Sequence, residues 1–155
     1  MISFLIFGNY GFHLYYKNKR KLLFKRIGNQ NFVEIKNVRT EICAKSKFSF
    51  SWQLFMSDII LFENTLLILL RNYNLKGLIN QNQSIIQISK SRNTEKLDGV
   101  GRIYILENNE FNGEKIKINS TQYLMTKAEF EVDLDFKNKL DELKVVTEFM
   151  NDKLK

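Results

Sequence analysis

A chain of 155 residues suits one domain, long enough to bury about two-thirds of the surface its unfolded form exposes. One cysteine, Cys43, excludes an internal disulfide, and with one histidine, His13, no zinc site can be built from His and Cys alone. The net charge of +7 is uneven: residues 1 to 33 hold Lys17, Lys19, Arg20, Lys21, Lys25 and Arg26 and no acid, so any argument about anionic partners starts there.

Aromatic residues are plentiful, with 13 Phe and 6 Tyr, which supplies material for a β-rich core. The absence of Pro and the wealth of Asn, Lys, Ile and Phe point to an AT-rich genome. A lone cysteine fits a reducing, cytoplasmic compartment.

Met1 to Tyr16 carries no formal charge and is strongly apolar and aromatic, and the cationic run KNKRKLLFKR follows directly. Gly8, Asn9, Gly11 and His13 interrupt it, and it falls short of the ~17–25 apolar residues of a spanning helix. It also lacks the basic start and small-residue cleavage site of a secretory signal. Two readings stay open. One is a strand pair turning at Gly8–Gly11, with Phe4 and Phe7 facing Phe12 and Tyr15. The other is a membrane-associated segment, whose following cations would keep the rest of the chain at the cytoplasmic face.

Lys21–Ile27 and Asn31–Val38 read as strands joined by Gly28-Asn29-Gln30, the second by its period-two alternation, and Thr40–Trp52 continues with Ile42, Ala44, Phe48 and Phe50 on one parity. Ser57 to Arg71, SDIILFENTLLILLR, is the most apolar stretch. Its two runs flank Glu63-Asn64, which reads as a tight hairpin with Asn tolerating the left-handed turn position. A helix is the rival, but Asp58, Glu63, Asn64 and Thr65 do not share a helical face. A membrane span is poorer, since Asp58 and Glu63 would each cost about 2.5–3.5 kcal/mol near the bilayer centre. Neither run alternates, so both sheet faces are apolar and both need cover.

Asn72–Gln83 reads as a polar connector containing Gly77, Ser84–Ser89 as a strand, and Ser91–Gly101 as an exposed loop. Arg102–Leu106 and Glu114–Asn119 are strands around the hairpin signal Asn112-Gly113. Ala128–Phe136 is the cleanest strand, with Phe130, Val132, Leu134 and Phe136 on one face and Glu129, Glu131, Asp133 and Asp135 on the other. A helix over 137–153 closes the chain: Phe136, Leu140, Leu143, Val146 or Thr147, Met150 and Leu154 recur at three- and four-residue spacing, with Asp135 or Asn138 as cap.

SDIILFENTLLILL, with its apolar strand, acidic turn and apolar strand, and AEFEVDLDF leading into KNKLDELKVVTEFM together resemble the pleckstrin-homology superfold and its GRAM-like relatives over residues 21–155. The resemblance implies about seven strands in two bent sheets with an open end that the C-terminal helix plugs. Lipocalin-like and fatty-acid-binding-like barrels share the strand count, without so regular a strand-to-helix ending. The expected fold is therefore mainly β (α+β), a bent-sheet barrel over 21–155 closed by helix 137–153, after an apolar and basic segment over 1–20.

For chemistry, the four carboxylates on one strand face suit a divalent cation only if another strand helps, since neighbours on that face stand about 7 Å apart. The simpler reading is a solvated face with Lys115, Lys117 or Lys127 as cross-strand partners. Glu34-Ile35-Lys36 and Glu129-Phe130-Glu131 have a passing look of nuclease strands, but no acid precedes Glu34. His13 sits among aromatics and Cys43 between Ile42 and Ala44, where each reads as a packing residue. No glycine motif cradles phosphate, and no catalytic set, metal or cofactor is expected.

Lys17–Arg26, interleaved with Tyr15, Tyr16, Leu22, Leu23 and Phe24, is the candidate binding segment. It fits an anionic membrane surface better than nucleic acid. The expectation is a non-catalytic binding or scaffolding module whose N-terminal segment either packs over the doubly apolar hairpin or docks at an anionic membrane surface through these cations, with a protein partner as the other candidate. The alternatives are a barrel holding a small apolar ligand among its Phe side chains, and a homo-oligomer in which a second copy covers the outer face of Ile59–Leu70.

Overall fold

The alternating segments build seven strands that close on themselves, flanked by a helix at each end of the chain: α1 (Ile2–Ile27), β1 (Phe32–Lys45), β2 (Phe50–Phe62), β3 (Thr65–Asn74), β4 (Ile79–Ser89), β5 (Arg102–Asn112), β6 (Lys115–Tyr123), β7 (Lys127–Asp135) and α2 (Leu140–Asn151). This is a computed structural model, and it describes residues 2–28, 30–45, 50–74, 79–123 and 127–152. The expectations for Phe48, Gly77 and Leu154, and for the side chains of Phe4, Phe7, Phe12, Phe50 and Lys127, lie outside what is described. The strands form a closed barrel in the order β1 to β7, with β1 antiparallel to both β2 and β7.

The central hairpin forms where the two apolar runs meet, Ile59 opposite Ile68 and Leu61 opposite Leu66. Its left-handed residue is Glu63 (φ 49°), not Asn64 as the turn chemistry suggested. Both faces are buried, and the parity of the strand divides them. Ile59, Leu61, Leu66, Ile68 and Leu70 point into the barrel with Ile35, Ile116, Val132 and Leu134. Ile60, Phe62, Leu67 and Leu69 point outward into a second cluster with Leu23 and Ile27 of α1, Ile85 and Val100. Each such side chain left in water would forgo roughly 1.5–3 kcal/mol. The outer cover thus comes from α1 together with Ile85 and Val100.

Here the structure corrects the sequence reading. Neither a strand pair over Met1–Tyr16 nor a strand over Lys21–Ile27 forms; residues 2–27 are one helix, and the barrel begins at Phe32 rather than at residue 21. The inner row of that helix is Tyr16, Arg20, Leu23, Phe24 and Ile27, at the three- and four-residue spacing of a packed face. Phe24 meets Phe32 with ring centroids 6.3 Å apart. No helix among the described residues is long and apolar enough to cross a membrane.

The polar stretch 72–83 is not a connector either. Residues 72–74 extend β3 and 79–83 extend β4, with Asn72 opposite Gln81. β4 then pairs parallel to β5, Ile86 opposite Arg102. A parallel pair needs a crossover of about a dozen residues, and 90–101 supplies it. This crossover is a largely exposed loop, as its sequence suggested, but it is pinned to the sheet at a few points. The buried Gln87 donates to the Glu95 carbonyl and accepts from the Leu97 N–H, both at 2.9 Å, and Val100 is buried.

Gly99 lies at the contact between crossover and helix. It sits at φ +88°, and a Cβ there would stand 2.4 Å from the Lys19 carbonyl oxygen. Gly99→Ala is therefore expected to destabilise the fold by more than ~1 kcal/mol and to loosen α1 from the sheet. Hydrogen exchange of the amides of 16–27 should speed up in this variant, and an unchanged pattern would show that the approach is not needed.

At the opposite chain end α2 closes the barrel. Phe136, Val146 and Met150 are buried in the inner cluster, with Leu143 and Phe149 packed against it. The helix is shorter than the sequence suggested, and its N-cap is Lys139 without a side-chain cap. Asp135 instead accepts the Lys137 N–H at 3.0 Å to shape the turn before it, and Asn138 takes φ 65° there. Leu140, read as part of the packed stripe, is more than half exposed. At its C-terminus Lys90 donates to the carbonyls of Phe149 and Asp152 and lies over the Phe149 ring, which satisfies groups the helix leaves open.

Candidate functional site

The six candidate cations all lie on α1, and the helix sorts them. Lys17, Lys21, Lys25 and Arg26 are exposed and Lys19 is partly so, its ammonium 5.4 Å from the centre of the Tyr15 ring. Arg20 faces the other way. Its side chain is 12% exposed, Nη2 donates to the Leu70 carbonyl at 2.7 Å, and Nη1 lies 3.8 Å from Asp58 Oδ2. The reading of all six as surface cations is therefore corrected at Arg20, which turns inward because its place in the helix falls between Tyr16 and Leu23.

Asp58 is the centre of that inward cluster. Arg71 Nη2 donates to Asp58 Oδ1 at 2.5 Å and to Asn37 Oδ1 at 2.7 Å, and the Asn37 N–H donates to Asp58 Oδ1 at 3.1 Å. The local backbone builds this. Between the pairs Ile35–Ile59 and Val38–Ser57 the register shifts, so Lys36 and Asn37 oppose Asp58 alone, and Asn37 adopts φ 57°. Such a bulge re-aims a backbone N–H toward the partner strand. Burial draws the Arg20 guanidinium down to about 10, with Asp58 opposing that shift and Arg71 adding to it. It stays protonated at neutral pH, so two buried cations share one carboxylate.

The outward side of α1 is a different surface. Leu14, Lys17, Lys21 and Lys25 form one row and Tyr15, Lys19, Leu22 and Arg26 the next, by three- and four-residue steps. Leu14, Tyr15 and Leu22 are 40%, 54% and 50% exposed. The helix contains no acid, so nothing on its own surface balances these cations.

A concavity opens at the barrel end remote from α2. The β2·β3 ladder stops at Met56–Arg71, although β2 reaches back to Phe50 and β3 on to Asn74. The two hairpins part above that point and leave a cavity of about 460 Å³, with Tyr16 of α1 at its margin. Its floor includes Tyr104 and Phe130, stacked with centroids 4.0 Å apart.

The acidic face of β7 is paired to β6. Lys117 lies opposite Asp133, with Lys115 opposite Asp135, and Lys117 Nζ is 3.2 Å from Glu131 Oε1. The hydrogen bond to Glu131 holds the Lys117 ammonium above its ordinary range, while burial raises the Asp133 carboxyl against the pull of Lys117. Among the described residues no group of three or more His, Cys, Asp or Glu is placed to hold a metal ion. Cys43 is a free, half-buried thiol on β1, and His13 is half-buried on α1.

Sequence reasoning found the basic segment but missed the Arg20–Asp58–Arg71 cluster. The available signal was Asp58 itself, an acid in an otherwise apolar run, which needs a partner once buried. No protein-family model, curated protein or solved structure matches this chain.

Proposed function

We propose that the chain is a non-catalytic binding module that docks at an anionic membrane surface through the outward face of α1, in a pleckstrin-homology-like barrel. The observation that carries this is the composition of that face: exposed Leu14, Tyr15 and Leu22 set among Lys17, Lys21, Lys25 and Arg26, with no acid on the helix. Cations near an anionic leaflet contribute about 1 kcal/mol each, and apolar side chains beside them enter the headgroup region. The barrel supports the reading by burying Leu23 and Ile27 of the inner row, while the outer rows stay in water. The seven strands and the closing α2 support the pleckstrin-homology-like part of it.

Co-sedimentation with vesicles containing phosphatidylserine tests the proposal. Binding by the full chain at low salt should weaken steeply with added salt, because exposed charges are screened. The triple substitution Lys17→Ala, Lys21→Ala and Lys25→Ala should lower the partition coefficient roughly 100-fold, about 1 kcal/mol for each charge removed. A folded full-length protein that ignores these vesicles at low salt would overturn it.

A further inference from the structure

We propose that the cavity at the parted barrel end is a binding site for a single-chain anionic amphiphile, with its tail on the apolar floor and its head at Arg102. The cavity grades from dry to wet. Ile42, Leu70, Ile86, Tyr104 and Phe130 are buried at its base, whereas Ser51, Gln53 and Arg102 at the rim are exposed. A volume of about 460 Å³ lies within the roughly 300–1,000 Å³ typical of small-molecule sites.

Protein interiors are close-packed, and apolar walls around a void lose their contacts. An unfilled apolar floor of this size is therefore a cost that an occupant would offset. The space is kept open by small residues, Ala44, Ser51, Ser84 and Gly101, at positions where one bulky side chain would fill it. Backbone irregularity contributes as well. Between Leu69–Ile85 and Arg71–Asn82 the register shifts, so that Gln83 and Ser84 oppose Leu70 alone, at the margin of the cavity.

Charge selects the head group. Arg102 is the one charged residue among those lining the cavity in the described chain, and no acid stands with it. A carboxylate or similar anion at the rim meets a guanidinium, while a cationic head meets none of its own counter-charge. The parted β2 and β3 strands give the tail a lateral way in.

Calorimetric titration of the full chain with dodecanoate, dodecanol and dodecyltrimethylammonium, each below its micelle concentration, tests this. Dodecanoate should bind at one site per chain, and the cationic amphiphile at least about tenfold more weakly. Arg102→Gln should weaken dodecanoate about tenfold, the scale of one charged hydrogen bond, and leave dodecanol unchanged. Ala44→Phe should abolish binding of both. Because that substitution lies partly in the core, Ser51→Leu at the exposed rim serves as a second blocking variant, with the thermal midpoint confirming that each is folded. Absence of saturable binding overturns the proposal, as does binding that survives both blocking variants. Binding lost instead with the Lys17, Lys21 and Lys25 substitutions would place the amphiphile on the outer face of α1 and also overturn it. Vesicle docking through α1 does not depend on the cavity and would stand or fall separately.

Discussion

Asp58→Ala is expected to destabilise the protein by about 3–5 kcal/mol, the effect of breaking a buried ion pair and leaving its partners charged. The carboxylate receives Arg71 at 2.5 Å and the Asn37 N–H at 3.1 Å and faces Arg20 at 3.8 Å, and all three charged side chains are only 12–13% exposed. Its removal leaves two guanidinium groups of like charge side by side. The damage should be directional: α1 is held to the sheet at this point, so the helix should separate before the barrel melts. Urea unfolding monitored by circular dichroism measures the total, and the double variant Arg20→Met with Asp58→Ala should recover part of the loss, because one buried charge has gone with its counter-ion. A cost below ~1 kcal/mol would mean that the cluster behaves as a solvated surface pair.

Phe136→Ala is expected to cost ~3–5 kcal/mol. Phe136 is fully buried where β7 turns toward α2, in the same cluster as Val146 and Met150. Truncation opens a cavity between the strands and the helix that seals the barrel. Leu140→Ala, four residues on, should change stability by less than about 0.5 kcal/mol, since that side chain is 55% exposed. Thermal unfolding of the pair separates the two readings of the C-terminal stripe. Equal losses would put Leu140 in the core after all.

What the sequence disclosed and what it hid follow from the same rule of patterning. The doubly apolar hairpin and the β7-to-α2 ending were legible because burial there leaves uninterrupted or strictly alternating apolar residues. The first helix was not, for two reasons. Gly8 and Gly11 look like turn residues, and the packed row of α1 has an arginine in its middle, so a reader who places every cation in water loses the stripe Tyr16, Arg20, Leu23, Ile27. The crossover was legible as a loop, but its anchors were not, since Gln87 is a polar strand residue whose partners Glu95 and Leu97 no local pattern announces. Of the candidate cations, the outward ones stand where a basic surface was expected, whereas Arg20 is decided by a long-range partner that no local pattern announces. The cavity was invisible for a related cause: its lining comes from α1 and six strands, each giving one to four residues.

The ring of strands is completed by the pairing of Arg39 with Asp135 and of Lys45 with Glu129, partners about ninety residues apart in the chain. A newly made polypeptide therefore cannot close this barrel until β7 has left the ribosome. Until then β1 waits with one flank unclaimed, open to mispairing with any passing strand. A shortened form ending before β7 would retain the oily hairpin and its helical cover yet have no means of shutting, and it would be sticky rather than merely loose.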